Sequence, residues 1–279
     1  MNNEKLLRYQ RLEDIENLNI KIGLATPTGE QYNARSHKPQ QMLDYYETVK
    51  SVIKKLSTKR TLYLYDFCCG RSYLSFYLNH LLQKEGICNI EFICIDWNVD
   101  LIKRNQQTAV NLNMANMKFI HANVVDYEFL EKPDMVYSLH ACDDATDQVI
   151  YKGITEHARF ILSVSCCQHT NRKRLKSPPL SPVTRHKPYK ERLVDMISDT
   201  LRSLLLEANG YKVSIFEFSS TTYTDKNIML KCEKVGDGNE KRETLLLEYE
   251  KLSALFNVRP LLERYLMEHS KQEEGIGKQ

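Results

Sequence analysis

Two groups of reactive side chains follow apolar runs that are typical of buried β-strands. The first group lies in the stretch DFCCGRS at 66–72, directly after the apolar run LYLY at 62–65. A helical pattern comes next, and a strand, a sharp turn and a helix in this order place the turn where nucleotide-binding folds hold their ligand. The stretch has one glycine and lacks the G-x-G-x-x-G pattern of pyrophosphate sites. It is therefore a candidate loop for a ligand other than a pyrophosphate.

The spacing of this loop fits S-adenosylmethionine, whose usual loop pattern is acidic-x-Gly-x-Gly-x-Gly. The four positions are filled here by Asp66, Cys68, Gly70 and Ser72. Small side chains thus replace two glycines, which still lets the backbone approach a ligand. The cofactor has no phosphate, so the strict glycine pattern of pyrophosphate binding is not required. The alternative for Asp66 alone is a helix N-cap.

Polar residues after the next two predicted strands complete a cofactor site. The run EFICID ends at Asp96, whose carboxylate can accept hydrogen bonds from both ribose hydroxyls. Trp97 follows and can pack on the adenine ring, although a single tryptophan more often packs in a core. After the third strand, Asn123 or Asp126 can hydrogen-bond the adenine amino group. The order of these residues predicts S-adenosylmethionine as the cofactor.

The second group of reactive side chains lies at the ends of the fourth and fifth predicted strands. We expect Leu139 and His140 to contact the cofactor. Methyl transfer is an in-line displacement, so the chain must position an acceptor and remove its proton. His140 or His169 is the expected base, and Asp143 or Asp147 can orient a histidine. The alternative is that Asp143 and Thr146 only cap the following helix.

The cysteines of these two loops allow two further chemistries. Cys142 and Cys166 lie where some RNA cytosine-5 methyltransferases carry a nucleophilic and a second cysteine. The simpler interpretation, which we favour, is that they are small residues packed around the cofactor. A zinc site from Cys166, Cys167 and His169 is conceivable. No paired cysteine spacing is present, however, and no metal is expected.

The whole pattern predicts an α/β fold in three parts. Residues 1–60 form a helical N-terminal extension, 61–235 a methyltransferase domain, and 236–279 a helical C-terminal extension. Five strands alternate with helices and are followed by an antiparallel pair, YKVSIFEFSS and NIMLKCEKV. Alternation implies a parallel sheet with right-handed crossovers. The expected fold is a Rossmann-like class I methyltransferase sheet: parallel strands plus a terminal antiparallel pair.

Three motifs resemble one methyltransferase family. They are DFCCGRSYLS in the ligand loop, DMVYSLHACDDATDQVI at 134–150 and ILSVSCCQH at 161–169. The family includes a tRNA acceptor-stem ribose 2′-O-methyltransferase, the methyltransferase-like 25 group and the glutathione S-transferase C-terminal-domain-containing protein. YTDKN at 223–227 also resembles the turn between that family's last two strands. The chain lacks the cysteine-rich zinc-finger region of the tRNA enzyme, so the resemblance implies the fold and the cofactor rather than a tRNA substrate.

A basic segment suggests the acceptor. HTNRKRLKSPPLSPVTRHKPYK at 169–190 has seven Lys or Arg and no acidic residue, and its prolines and serines predict an extended loop. A run of charged residues is often only a solvent-exposed surface that binds nothing. Its place after the fifth strand, however, favours contact with a polyanion. We expect Arg172, Lys173 and Arg174 to bind RNA, together with Lys38 if the N-terminal part covers the pocket.

The composition is ordinary for a globular protein, with 42% hydrophobic and 27% charged residues and a net charge of +3. No transmembrane helix or signal peptide is expected, so the predicted location is the cytoplasm. The predicted function is S-adenosylmethionine-dependent methyl transfer to RNA, either tRNA or rRNA. The alternatives are a protein or small-molecule methyltransferase of the same fold and a non-catalytic cofactor-binding subunit. No oligomeric state is predicted.

Overall fold

A seven-stranded mixed sheet forms the centre of the protein. The computed structural model describes residues 14–30, 37–57, 59–236 and 241–276. The sheet order is β3-β2-β1-β4-β5-β7-β6, with β1 to β5 parallel and β7 antiparallel to both of its neighbours. The strands are β1 Leu62–Phe67, β2 Ile90–Asp96, β3 Met117–His121, β4 Met135–Ala141, β5 Phe160–Ser165, β6 Tyr211–Glu217 and β7 Ile228–Lys234. The predicted class I methyltransferase sheet is confirmed.

Helices pack on both faces of this sheet. They are α1 (14–22), α2 Lys38–Ile53, α3 Tyr73–Lys84, α4 Val99–Asn111, α5 Asp144–Thr155, α6 His169–Arg174, α7 Ser181–Thr184, α8 Lys187–Ala208, α9 Arg242–Phe256 and α10 Leu261–Ile276. The break between α9 and α10 falls at Pro260, as predicted. In the described part of the chain, no helix is long and apolar enough to cross a membrane. Residues 1–13, 31–36, 58, 237–240 and 277–279 of the predicted extensions lie outside the described residues.

Alternation along the strands produces two apolar cores. Leu62 and Leu64 of β1 face the core that contains α2 and α3, whereas Tyr65 and Phe67 face the core that contains α5 and α8. Successive strand residues point to opposite faces, and a sheet covered on both faces is therefore apolar almost throughout. This is why the strands of this chain are continuous apolar runs.

Helix α2, from the predicted N-terminal extension, is part of the first core. Tyr45 and Tyr46 are fully buried against the sheet. The Tyr45 hydroxyl donates a hydrogen bond to the carbonyl oxygen of Leu162 in β5, at 3.2 Å. The helix begins at Lys38 and runs over the carboxyl end of the sheet's centre, so its first turn is available to line a ligand cavity.

The prediction that 169–190 is an extended loop is wrong. The segment contains α6, a short 3-10 helix at Pro178–Leu180, α7 and the start of α8. The 3-10 helix, α7 and α8 each have a proline in the first turn. Proline is favoured at this position because its fixed φ suits the helix and its missing N–H is not needed there. The prolines of this segment therefore begin helices.

A buried ion network holds the second core together. Arg202 of α8 is 1% exposed, and its Nε donates to Asp147 of α5 at 2.7 Å while Nη1 donates to Asp199 at 3.1 Å. The other Asp147 oxygen accepts from the N–H of Leu261, which begins α10. Asp147 thus joins three helices, and its carboxylate is engaged by these groups rather than by a histidine.

We predict that Arg202→Met destabilises the protein by about 3–5 kcal/mol, because it leaves two buried carboxylates without their cation. The matched control is Arg264→Met, which breaks an exposed pair with Glu268. This control is expected to change the free energy of unfolding by less than about 0.5 kcal/mol. The measurement is urea denaturation of both variants. Equal effects of the two substitutions would contradict the role given to Arg202.

Candidate functional site

The loop after β1 has positive φ at three alternate positions. Cys68, Gly70 and Ser72 have φ of 58°, 54° and 51°. These are the positions that the usual loop pattern fills with glycine, and this conformation costs a residue with a Cβ about 1–2 kcal/mol. A Cβ added to Gly70 would have no atom within 4 Å, so the loop is open on that side. The left-handed backbone shared by the three residues thus explains their predicted equivalence to the three glycines of the usual pattern.

Asp96, at the end of β2, anchors this loop. One carboxylate oxygen accepts the N–H of Gly70 at 2.8 Å, and the other accepts the N–H of Asn98 at 2.9 Å. Asn105 of α4 holds the loop from the other side, because its Nδ2 donates to the Gly70 carbonyl at 2.8 Å. Each carboxylate oxygen of Asp96 keeps a second lone pair, which can accept from a ligand hydroxyl.

Asp66 is buried at the base of the loop. The Ser75 hydroxyl donates to its carboxylate, and Ser72, not Asp66, occupies the N-cap position of α3. The N-cap alternative for Asp66 is therefore excluded. Burial raises the pKa of Asp66 to about 7, against the lowering effect of the Ser75 hydrogen bond.

A cavity of about 250 Å³ opens above Asp66, at the carboxyl ends of β1 and β4. Charged and polar side chains from separate elements line it: Lys38, Gln41, Asp66, Arg71, Tyr73 and His140. A larger depression, of about 940 Å³, lies at the opposite end of the strands, around Arg60 before β1 and Asp134 before β4. In open α/β sheets ligands bind at the carboxyl ends of the strands, so the smaller cavity is the candidate site.

His140 reaches this cavity through an irregularity in β4. The register between β4 and β5 shifts between Leu139 and Ala141, and His140 has φ of 62°. Its Nε2 lies 3.1 Å from Oε1 of Gln41, and its buried Nδ1 has no hydrogen-bond partner among the described residues. Burial, with a smaller contribution from Lys38, lowers the pKa of His140. The imidazole is therefore neutral at pH 7, with Nδ1 as its proton acceptor.

The other predicted catalytic residues of these two loops have different partners. Both oxygens of Asp143 accept hydrogen bonds from Thr170, so this carboxylate ties the β4 loop to α6. It makes no side-chain cap to α5, and the Thr146 hydroxyl donates to the carbonyl of Ala141. His169 is exposed, and its Nδ1 lies 2.8 Å from Nη2 of Arg172. Of the two predicted bases, only His140 lines the cavity.

Three cysteines of these loops lie together. Sγ of Cys166 is 2.7 Å from Sγ of Cys142 and 3.8 Å from Sγ of Cys167. Burial and the neighbouring Cys142 raise the pKa of Cys166 well above its usual range, so this thiol is protonated at neutral pH. A cysteine nucleophile requires a thiolate. The protonated thiol of Cys166 therefore does not support Cys166 as a nucleophile.

Trp97, Asn123 and Asp126 follow β2 and β3 and do not line this cavity. Trp97 is 71% exposed, with its carbonyl oxygen 2.8 Å from Nε2 of His121. Asn123 donates to Asp126 at 3.0 Å. On the acceptor side, Lys173 and Arg174 of α6 are exposed, whereas Arg172 forms an ion pair with Glu191 at 2.9 Å.

Comparisons with known proteins agree with this geometry. Residues 37–174 match the model of a methyltransferase domain family. The chain contains a methyltransferase domain. The matched region begins at α2 and ends with α6, and thus includes the ligand loop, Asp96, the cavity and the three cysteines. The predicted enzyme class is confirmed for this domain, and the match supports S-adenosylmethionine as its cofactor.

Curated relatives are similar to part of the chain. The chain is 30% identical over 129 residues to the glutathione S-transferase C-terminal domain-containing protein of Xenopus laevis, which covers 46% of this chain and 19% of that protein. The mouse protein of the same name is 33% identical over 102 residues, covering 37% and 15%. The alignments thus span about a fifth of these relatives or less. This part of the predicted family resemblance is confirmed.

Solved structures are similar at lower identity. A putative class I S-adenosylmethionine-dependent methyltransferase from Listeria monocytogenes is 14% identical, with a TM-score of 0.49, and covers 86% of this chain and 79% of its own. The SAH-bound methyltransferase PaMTH1 from Podospora anserina is 12% identical, with a TM-score of 0.47, and covers 85% and 97%.

Four residues of the methyltransferase domain were missed by the sequence analysis. Gln41, Arg71 and Tyr73 line the cavity, and Asn105 holds the loop. Their spacing carries no motif, because each lies on a different turn or helix and meets the others only through the fold. Asn105 alone could have been recognised, because it is a polar residue on the buried side of α4.

We predict that Asp66→Asn changes how stability depends on pH. An unfolded aspartate titrates near 3.9. The folded protein, with a pKa of about 7, therefore holds a proton over an interval in which the unfolded chain has released it. The stability of the wild type, relative to the variant, should fall by on the order of 2–4 kcal/mol between pH 4 and 7 and stay level above pH 7. The measurement is urea denaturation of the cofactor-free proteins at several pH values. A difference that does not vary with pH would contradict this.

Proposed function

We propose that the protein is an active S-adenosylmethionine-dependent methyltransferase that uses His140 as the base and RNA as the acceptor. The observation that carries the proposal is the cavity at the carboxyl ends of β1 and β4, whose lining suits the amino-acid half of this cofactor. When bound, S-adenosylmethionine supplies an electrophilic methyl group.

The charges that line the cavity complement an amino acid. Asp66 at the base can accept from an ammonium group, and Lys38 and Arg71 at the mouth can donate to a carboxylate. Both cations lie outside the sheet, Lys38 in the first turn of α2 and Arg71 in the ligand loop. A zwitterionic ligand satisfies all three groups at once, whereas a purely anionic ligand would meet the Asp66 carboxylate.

The remainder of the cofactor would extend past the loop toward the end of β2. Asp96 has lone pairs left for the ribose hydroxyls after it has accepted from Gly70 and Asn98. The exposed ring of Trp97 and the amide of Asn123 stand on the same side, at the ends of β2 and β3. These residues are the proposed contacts of the adenosine.

His140 is the proposed base because it combines location with charge state. The ring lines the cavity, Gln41 fixes its Nε2, and Nδ1 is left as a buried acceptor. A neutral imidazole can take a proton from an acceptor hydroxyl or amine as the methyl group arrives. The side chains of Asp143 and His169, by contrast, bond to residues of α6.

We predict that Asp96→Ala and His140→Ala separate cofactor binding from transfer. Asp96→Ala removes a charge-assisted contact to the ribose and releases Gly70. Calorimetry should show S-adenosylmethionine affinity lower by about 30- to 1,000-fold, equivalent to about 2–4 kcal/mol. His140→Ala should bind the cofactor within a few-fold of the wild type and show a transfer rate lower by about 100-fold or more.

The control variant is Asp100→Ala, which removes an exposed carboxylate four residues from Asp96. It should bind the cofactor as the wild type does. Unchanged affinity in Asp96→Ala would remove the ribose role of that residue. Binding without transfer to total RNA, total protein or a metabolite extract would favour the non-catalytic alternative.

RNA is proposed as the acceptor from the charge of the surface beside the cavity. Lys173, Lys176, Arg185 and Lys187 are exposed, and no carboxylate in the described residues pairs with them. Lys173 lies in α6, Lys187 begins α8, and Lys176 and Arg185 lie between helices of the same segment. This structure favours a fixed phosphate-binding surface over a solvated tail. The resemblance to a tRNA 2′-O-methyltransferase is part of this proposal.

We predict that replacing Lys173, Lys176 and Lys187 by glutamine weakens RNA binding. The slope of log affinity against log salt should become shallower by about 0.7 for each phosphate that the variant no longer neutralises. Cofactor affinity should not change. The measurement is fluorescence anisotropy with total tRNA and with rRNA fragments at several salt concentrations.

The matched control replaces Lys54, Lys132 and Lys212 by glutamine. These three lysines are exposed and lie away from the basic segment. It removes the same net charge and should leave the slope nearly unchanged. Equal slopes for the two triple variants would show that RNA affinity depends only on the net charge of the protein. An unaltered slope together with unaltered methyl transfer would refute the RNA proposal and favour a protein or small-molecule acceptor.

A further inference from the structure

The three clustered sulfurs have no role in the proposed transfer. Cys142 is exposed and Cys166 and Cys167 are half-buried, and the three Sγ atoms all lie within 4.8 Å of one another. Cys88, by contrast, is an exposed cysteine outside the cluster. A group of three thiols that solvent can reach, next to a ligand cavity, calls for a chemical explanation.

The backbone holds these sulfurs in place from two strands. Ala141 pairs with Ser165 where β4 and β5 end, directly before the cysteines. The N–H of Asp143 donates to the carbonyl of Cys167 at 3.2 Å, and the Asp143 carboxylate binds Thr170 on the far side of the second loop. These backbone and side-chain links fix one loop against the other. The sulfurs are brought together by the fold itself, without a ligand.

The three sulfurs together suit a shared ion, because a disulfide can use only two of them. The 2.7 Å between Cys142 and Cys166 is longer than the about 2.05 Å of a disulfide bond. A disulfide would also leave Cys167 unused, 3.8 Å from Cys166. Tetrahedral zinc with Zn–S bonds of about 2.3 Å places its sulfurs about 3.8 Å apart. The Cys166–Cys167 pair has this spacing, and the exposed Cys142 side chain needs to move by about 1 Å to reach the same spacing.

We propose that Cys142, Cys166 and Cys167 bind a thiophilic divalent metal ion, with zinc as the ion that this ligand set suits best. In the part of the chain that the structure describes, no fourth His, Cys, Asp or Glu atom joins the three sulfurs. Three protein ligands with one open position are typical of catalytic zinc sites, whereas structural sites are closed by four.

The open position would lie on the acceptor side of the domain. The carbonyl oxygen of His140 is 3.6 Å from Sγ of Cys142 and 3.5 Å from Sγ of Cys166, and the His140 side chain lines the cavity. An ion held by the three thiolates can therefore take a water or an acceptor group close to the proposed base. The exposed cations of α6 follow closely after Cys167 and would balance the negative charge of a zinc–trithiolate group.

The test is metal binding by the full chain, prepared with a reductant and freed of metal by a chelator. Zn²⁺ is titrated in competition with a chromophoric chelator, and Co²⁺ is then added to metal-free protein. We expect one equivalent of Zn²⁺ and an intense visible spectrum with sulfur-to-cobalt charge transfer. Each single Cys→Ser change at the three positions should weaken Zn²⁺ binding by about 100-fold or more, since even a residue that only supports a ligand costs about 10- to 100-fold.

Cys88→Ser is the matched control and should bind Zn²⁺ as the wild type does. Circular dichroism and S-adenosylmethionine titration of each variant show whether it is folded. The inference is overturned if the reduced wild type binds no Zn²⁺, if Cys142→Ser binds it as tightly as the wild type, or if protein alkylated directly at cell lysis contains a Cys142–Cys166 disulfide. Zinc binding without cofactor binding would contradict the proposed function and leave this inference standing.

Discussion

The carboxylate of Asp96 is the contact on which the ligand loop depends. It accepts the N–H of Gly70 and the N–H of Asn98, and so fixes the loop after β1 against the end of β2. The loop adopts left-handed backbone at Cys68 and Ser72, which is unfavourable for both residues. Packing and the Asp96 contacts must compensate for that cost. If the ribose binds the same carboxylate, cofactor binding and loop order are coupled.

A second constraint comes from α2, which covers the cavity. Gln41 contacts His140 and also donates to the carbonyl of Tyr223 in the turn between β6 and β7. The ring of Tyr223 packs on His37, one residue before α2. The cavity wall is thus assembled from a helix that precedes the sheet and a turn near its end. Because α2 shares the core with the sheet, removing it would disturb both the site and the fold.

The sequence was informative where the signal is local. The continuous apolar runs predicted the strands, and the spacing of Asp66, Cys68 and Gly70 predicted the loop, because a strand end and a tight turn are specified by adjacent residues. Asp96 was predictable for the same reason. Contacts between distant segments were not. Gln41 meets His140 across 99 positions of sequence, and no pattern announces that pairing.

The prediction of an extended loop at 169–190 is wrong for a physical reason. The prolines of the basic segment predict an extended loop over 169–190, but in the structure they begin helices. The lack of paired cysteine spacing within one segment predicts no metal, and this stays a prediction. The clustered sulfurs come instead from two loops, after β4 and after β5, which only the parallel pairing of these strands brings together. Spacing along the chain is a weak guide to side chains that neighbouring strands bring together.

The central claim is that the cofactor binds between the loop after β1 and the ends of β2 and β4. Hydrogen–deuterium exchange with and without S-adenosylmethionine tests it most directly. We expect slower exchange of the amides at 68–72, 97–98 and 140–142 when the cofactor is added, because Gly70, Asn98 and their neighbours become ordered by it. No change in these segments, or protection confined to the larger depression around Arg60 and Asp134, would contradict the account.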